Sequence, residues 1–184
     1  MARTGAVLGT VAALVVAACG SSAQPDSSRL DPAEVGTSLT TTVRLQDREY
    51  EVRLTLAQAL RGIPALASVF GADSSNAAPS PGGEYVVALV RFEYLRGPDP
   101  NTRFSLSTFD FKAVSSEGVD YDEPVFVIEP KPRISANLYP GASHEGWLVL
   151  QVDADDAAPL ITFGRDELGR GGVWWKLPVL EAAR

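Results

Sequence analysis

The sequence predicts an all-β chain folded as an antiparallel β-sandwich, and three observations predict it. Seven or more short apolar segments recur along the chain, several alternating with polar residues at period two. Turn chemistry rich in Gly, Pro, Asp and Ser separates them, and a helical pattern occurs in one short stretch only. The 184 residues, 45% hydrophobic, are enough for one domain with a real core.

The chain begins with an address. Arg3 precedes Gly5–Ala18, 14 residues without a charge, which is the length of a signal-peptide h-region and too short to span a bilayer. Residues 1–18 are therefore expected to be a signal peptide. Residues 19–38 are rich in Ser, Ala, Pro, Asp and Gly and lack apolar periodicity, so they are expected to be a flexible tether with a root-mean-square reach of roughly 25 Å.

The domain is expected over residues 39–178, with a tail over 179–184. Leu39, Thr41, Val43 and Leu45 alternate with polar residues, and so do Tyr50, Val52, Leu54 and Leu56 after a turn at Gln46-Asp47-Arg48. This pair reads as a hairpin with one buried face. Between Gly62 and Phe70, Pro64 marks a first helical turn, and Ile63, Leu66, Val69 and Phe70 fall on one face. Residues 71–83 read as a mobile surface loop.

Glu84–Leu95 starts apolar on both faces and then alternates, the pattern of a central strand whose far end meets solvent. Phe104 and Leu106 have one parity, whereas Phe109, Phe111 and Ala113 have the other. A one-residue slip exchanges faces, so a bulge or turn is required near Ser107-Thr108. Strand-like segments follow at Val119–Tyr121, at Val125–Ile128 between Pro124 and Pro130, and at Gly146–Val152. Tyr139-Pro140-Gly141 reads as a type II turn. Leu160–Phe163 and Val173–Leu177 complete the set.

Composition excludes several functions. A formal charge of −7 provides no basic stripe for phosphates, so no nucleic-acid partner is expected. One cysteine and one histidine exclude a disulfide framework and a multi-cysteine zinc site. The pair His144-Glu145 has no nucleophile motif such as G-x-S-x-G to serve, and reads as a solvated turn. Asp120, Asp122 and Glu123, or Asp153, Asp155 and Asp156, offer oxygen ligands but lack the spacing of an EF-hand, and read as acidic turns. No catalytic residue, metal or cofactor is expected. Trp174 and Trp175 are adjacent, so on a strand they point to opposite faces. One is expected to fill the sandwich, and the other to lie under a loop such as 62–70 or a terminal strand, or to anchor a partner. Trp174, Trp175 and Phe70 are thus the candidate partner contacts.

Val16-Ala17-Ala18-Cys19-Gly20-Ser21-Ser22 resembles the lipobox of bacterial lipoproteins. The resemblance implies cleavage between Ala18 and Cys19, and a diacylglycerol thioether on Cys19 with palmitate-type chains. The mature chain would then be anchored to a membrane without spanning it, on the extracytoplasmic side. Removal of Arg3 leaves it one unit more negative, which favours standing off from anionic lipid.

Taken in order, the lipobox and polar tether, the strand Glu84–Tyr94, Phe109-Asp110-Phe111 with Gly118 and Tyr121, and Pro140-Gly141 followed by Gly146–Leu150 resemble a family of bacterial lipoproteins. That family has an immunoglobulin-like domain of unknown function and is related to secreted immunoprotective antigens. The likeness covers about residues 36–178 and implies an immunoglobulin-like sandwich. It supplies no catalytic residues. In this chain Leu95-Arg96-Gly97-Pro98 stands where the family has asparagine-rich turn chemistry, and Leu150 stands near a common phenylalanine. The expected function is a binding or interaction module for a protein or cell-envelope component. The alternative is a structural spacer without a ligand, with a hydrolase the weakest reading.

Overall fold

Two antiparallel sheets close over one apolar core, with a smaller ribbon at the side. The computed structural model describes residues 27–178 apart from Gln46 and Val125. The expected signal peptide, Ala18, Cys19 and the tail 179–184 lie outside the described residues.

The first sheet has the order β1-β2-β3-β7, from β1 (Ser38–Leu45), β2 (Arg48–Arg61), β3 (Gly83–Arg96) and β7 (Ser143–Asp153). The second has the order β5-β8-β9, from β5 (Phe111–Val114), β8 (Leu160–Arg165) and β9 (Gly171–Lys176). The ribbon pairs β4 (Phe104–Leu106) with β6 (Ala136–Leu138). The predicted hairpin forms in the expected register, with Val43 opposite Tyr50 and Leu39 opposite Leu54, and Asp47 takes φ 62 in its turn.

Alternation delivers the core. Val52, Leu54, Val90, Phe92, Leu148, Ile161 and Trp175 are all buried in one cluster. Phe92 stacks on Phe104 at 5.2 Å and meets Phe163 edge-on at 5.9 Å, and Phe163 packs on Phe111 at 4.9 Å. These rings tie both sheets and the ribbon together. The predicted parity break is a 3-10 turn at Thr108–Asp110: Ser107 accepts from the Phe109 N–H while the Asp110 carboxylate accepts from the Ser107 N–H. The turn moves the chain from the ribbon to the second sheet, so Leu106 and Phe111 both point inward and Phe109 is left outside.

β3 is apolar on both faces because its outer face is also covered. The helix α1 (Ile63–Ala72) lies there, with Ala65 and Val69 packed on Tyr85, Val87 and Val149. The predicted helical face is rotated: Ala65 replaces Ile63, which is 83% exposed, and Phe70 is only half-covered. Residues four apart stack on one face, and entry through Gly62 (φ 63) and Pro64 points the 65/69 pair at the sheet.

Three further expectations change. Ser27–Thr37, read as part of the tether, is a strap along β9. The Ala33 N–H donates to the Trp174 carbonyl, the Lys176 N–H to the Ala33 carbonyl, and the Gly36 N–H to the Leu56 carbonyl. Backbone pairing of this kind leaves no apolar period in the sequence. Val125–Ile128, read as a short strand, is in its described residues a loop, with Phe126 at φ 54 and 93% exposed. Proline on both sides removes ladder donors and restricts the preceding residues, which suits a loop better than a strand. The 71–83 segment is pinned by Asn76, which is buried, and by the Tyr85 hydroxyl donating to the Ala77 carbonyl.

Candidate functional site

A groove opens between the 3-10 turn and the 123–129 loop. Its cavity is about 430 Å³, within the range of small-ligand sites. Thr108 and Phe109 form one wall, Pro124, Phe126 and Val127 the other, and Val149 lies at its floor. Phe109 is 70% exposed and Phe126 is 93% exposed.

Both walls are set by hydrogen bonds rather than by ladder pairing. The capping box at Ser107 and Asp110 fixes the turn that carries Phe109. Opposite, the Asn76 amide donates to the Val69 and Ile128 carbonyls at 2.8 and 2.9 Å, and its oxygen accepts from the Ile128 N–H at 2.7 Å. Asn76 therefore ties the loop to α1. Below, residues 132–134 run alongside β7 as a parallel bridge, where the Trp147 N–H donates to the Pro132 carbonyl and the Ile134 N–H to the Trp147 carbonyl. Gly146 permits this approach, because a Cβ there would lie 2.4 Å from the Arg133 carbonyl oxygen.

One carboxylate stands inside. Glu129 lines the groove and accepts the Thr108 hydroxyl. Burial raises its pKa above the ordinary glutamate value, opposed by the Thr108 hydrogen bond and the positive charge of Arg133. Burial likewise raises that of Asp110, opposed by the Ser107 N–H. Glu123, also on the groove, is paired with Lys112. No basic nitrogen among the described residues lies within ion-pair distance of Glu129.

The residues singled out from the sequence lie elsewhere. Trp175 fills the core and donates its indole N–H to the Thr37 carbonyl. Trp174 is also buried, on the outer face of the second sheet. Its indole donates to the Gly171 carbonyl, its backbone N–H donates to the Ser27 hydroxyl, and Arg165 sits 5.5 Å over the ring. The expectation that one tryptophan could face a partner is corrected: the strap and Arg165 cover it, not the 62–70 segment. Phe70 lies on α1 and is not among the residues that line the groove.

The acidic turns are occupied by structural work. Asp120 accepts two hydrogen bonds from Arg165, at 2.6 and 3.0 Å. Asp156 accepts from the Tyr121 hydroxyl and from the Ser116 and Ala158 N–H groups, and these bonds hold its pKa low against its burial. Among the described residues no group of three or more His, Cys, Asp or Glu side chains is placed to hold a metal ion. His144 is not a free turn residue, since its Nε2 lies 2.7 Å from the Arg133 carbonyl oxygen. The sequence reading missed Phe126 and Glu129, and the one available signal was the proline bracket around 125–129.

No family model matches the chain, and no curated protein matches it. Among solved structures, the secreted protein MPT63 from Mycobacterium tuberculosis aligns with a TM-score of 0.52 at 13% identity, over 79% of this chain and 96% of its own. A candidate lipoprotein, ycdA of Bacillus subtilis, aligns with a TM-score of 0.49 at 10% identity over 79% of this chain, which spans 38% of that protein. The likeness to MPT63 is one of fold: an all-β sandwich with antiparallel sheets.

Proposed function

We propose that the mature protein is an extracytoplasmic binding module, anchored through lipid on Cys19, and that the groove between Phe109 and Phe126 is its binding face. The single observation that carries the binding reading is the exposure of these two rings beside a ligand-sized cavity. Two exposed rings lining one recess offer apolar surface of the kind that interaction sites use. Phe126 also sits at φ 54, in the left-handed region that disfavours a side chain.

The lipobox sequence at Val16–Cys19 supports the anchoring. The MPT63-like fold, found there in a secreted protein, is in keeping with an exported chain. No helix among the described residues is long and apolar enough to cross a membrane.

Labelled fatty acid is expected to enter the wild-type chain and not Cys19→Ala, and incorporation that persists in Cys19→Ala overturns the anchor. For the binding face, a photoreactive phenylalanine analogue at position 126 should crosslink in intact cells to one species. That capture should be lost when Phe109 is changed to Ser. No saturable crosslink at position 126 would favour the spacer reading instead.

A further inference from the structure

We propose that the groove takes a small organic cation, an ammonium-type group on an apolar carrier, with its charge set against Glu129 and its apolar part between Phe109 and Phe126. This deepens the binding reading above and rests on it.

The charge arrangement selects the ligand. Two glutamates line the groove. Glu123 already has its cation in Lys112, whereas Glu129 has hydrogen bonds but no ion-pair partner among the described residues. The positive charge of Arg133 acts on Glu129 only from an exposed position beyond ion-pair distance, so the partly buried carboxylate is incompletely compensated in the empty protein, and a ligand cation relieves it. An anion would instead meet Glu123, Glu129 and a chain with a formal charge of −7. The two phenylalanine rings that line the groove supply apolar contact for the carrier and leave the charge preference to Glu129.

Size selects a small ligand over a protein surface. The cavity of about 430 Å³ suits a carrier of about a dozen heavy atoms, and it is a recess between two loops rather than a flat face. The hydroxyls of Thr108 and Ser135 add polar points at its edge. Thr108 already donates to Glu129, which orients that carboxylate before any ligand arrives.

The test compares 4-phenylbutylamine with its neutral counterpart, 4-phenylbutanol, by calorimetric titration against the full mature chain carrying Cys19→Ser so that no lipid or detergent is present. The amine should bind saturably and about tenfold more tightly than the alcohol. Glu129→Gln should abolish that preference, leaving the two probes equal. Phe126→Ala, which removes an exposed ring and leaves the core untouched, should weaken the amine at least about fivefold. Equal binding of amine and alcohol to the wild type, with both lost in Phe126→Ala, overturns the cation claim and leaves the groove as a binding face. Saturable binding of a short basic peptide such as acetyl-Leu-Lys-Phe-amide without binding of the amine overturns the small-ligand claim. No binding of any probe below about 10 mM overturns the inference outright, whereas the labelling of Cys19 tests the anchor independently.

Discussion

The side-chain amide of Asn76 is bonded to both backbone groups of Ile128, donating to its carbonyl at 2.9 Å and accepting from its N–H at 2.7 Å. One buried side chain thereby holds the loop that carries Phe126 and Glu129 against α1. Asn76→Ala leaves the Ile128 carbonyl and N–H to find other partners, while the Val69 carbonyl keeps only the Asp73 N–H. The expected loss is about 2–3 kcal/mol in chemical denaturation. Asn76→Asp should be at least as harmful at neutral pH, since it turns a carboxylate toward two carbonyl oxygens. If Asn76→Asp is as stable as wild type, this account of the groove wall is wrong.

Arg61 and Glu84 form a buried ion pair at the end of the sandwich, 2.6 Å from Nη2 to Oε1, with side chains 1% and 10% exposed. Arg61 also donates to the carbonyls of Asp156 and Pro178, so four segments meet on one guanidinium. Arg61→Ala strands a carboxylate with no counterion and should cost about 3–5 kcal/mol. The double change Arg61→Met with Glu84→Leu removes both charges together and should recover most of that loss. Equal destabilisation of the single and the double variant would show that the carbonyl bonds, not the ion pair, hold this end.

Arg61 also marks how far alternation reads the fold. The inward positions of β1, β2 and β3 follow from parity alone, up to the irregularity at Leu56–Gln58 that extends β2 to Arg61. The switch at Ser107–Asp110 was legible because Phe104 and Phe111 must both be inside although their parities differ. The strap at Ser27–Thr37 was not, because it is held by main-chain donors and acceptors that any sequence carries. The groove was hidden for a related reason. Phe109 has the parity of a core residue, and only the turn geometry expels it. Phe126 lies in an apolar run whose composition is that of a strand. The two tryptophans follow the alternation, on opposite faces of β9 with both covered, but the cover of Trp174 is the strap and Arg165, which the sequence does not reveal.

Gly97 is required by its neighbour rather than by its dihedral angles. A Cβ at this position would lie 1.8 Å from the Tyr94 hydroxyl oxygen, and that ring is wholly buried with its hydroxyl donating to the Thr102 carbonyl at 3.2 Å. Gly97→Ala should force the ring aside and cost about 2–4 kcal/mol, combining overpacking with a lost hydrogen bond. Tyr94→Phe alone should cost about 1 kcal/mol. Combined, the two should be more stable than Gly97→Ala alone, because the clashing oxygen is gone. Additive losses in thermal unfolding would show that the loop after β3 moves instead of the ring.

The partly buried Glu129 carboxylate has a stability signature separate from any ligand. Burial raises the folded-state pKa of Glu129 above its unfolded value, so the folded protein binds that proton more readily than the unfolded chain. The resulting penalty is complete above the folded pKa, where the group is charged in both states. It shrinks as pH falls through the folded and then the unfolded value, and it is gone once both are protonated. Glu129→Gln keeps an acceptor for the Thr108 hydroxyl and carries no charge. It should therefore be more stable than wild type at pH 7, with the two converging near pH 3 (both proteins retain Asp110 and Asp156, whose titrations cancel in the comparison). Urea denaturation across this range reads the difference directly. A variant less stable than wild type at pH 7, or a gap that persists unchanged at pH 3, would show that Glu129 is a structural anchor. A gain in stability with loss of amine selectivity would place Glu129 among residues retained for binding at the expense of the fold.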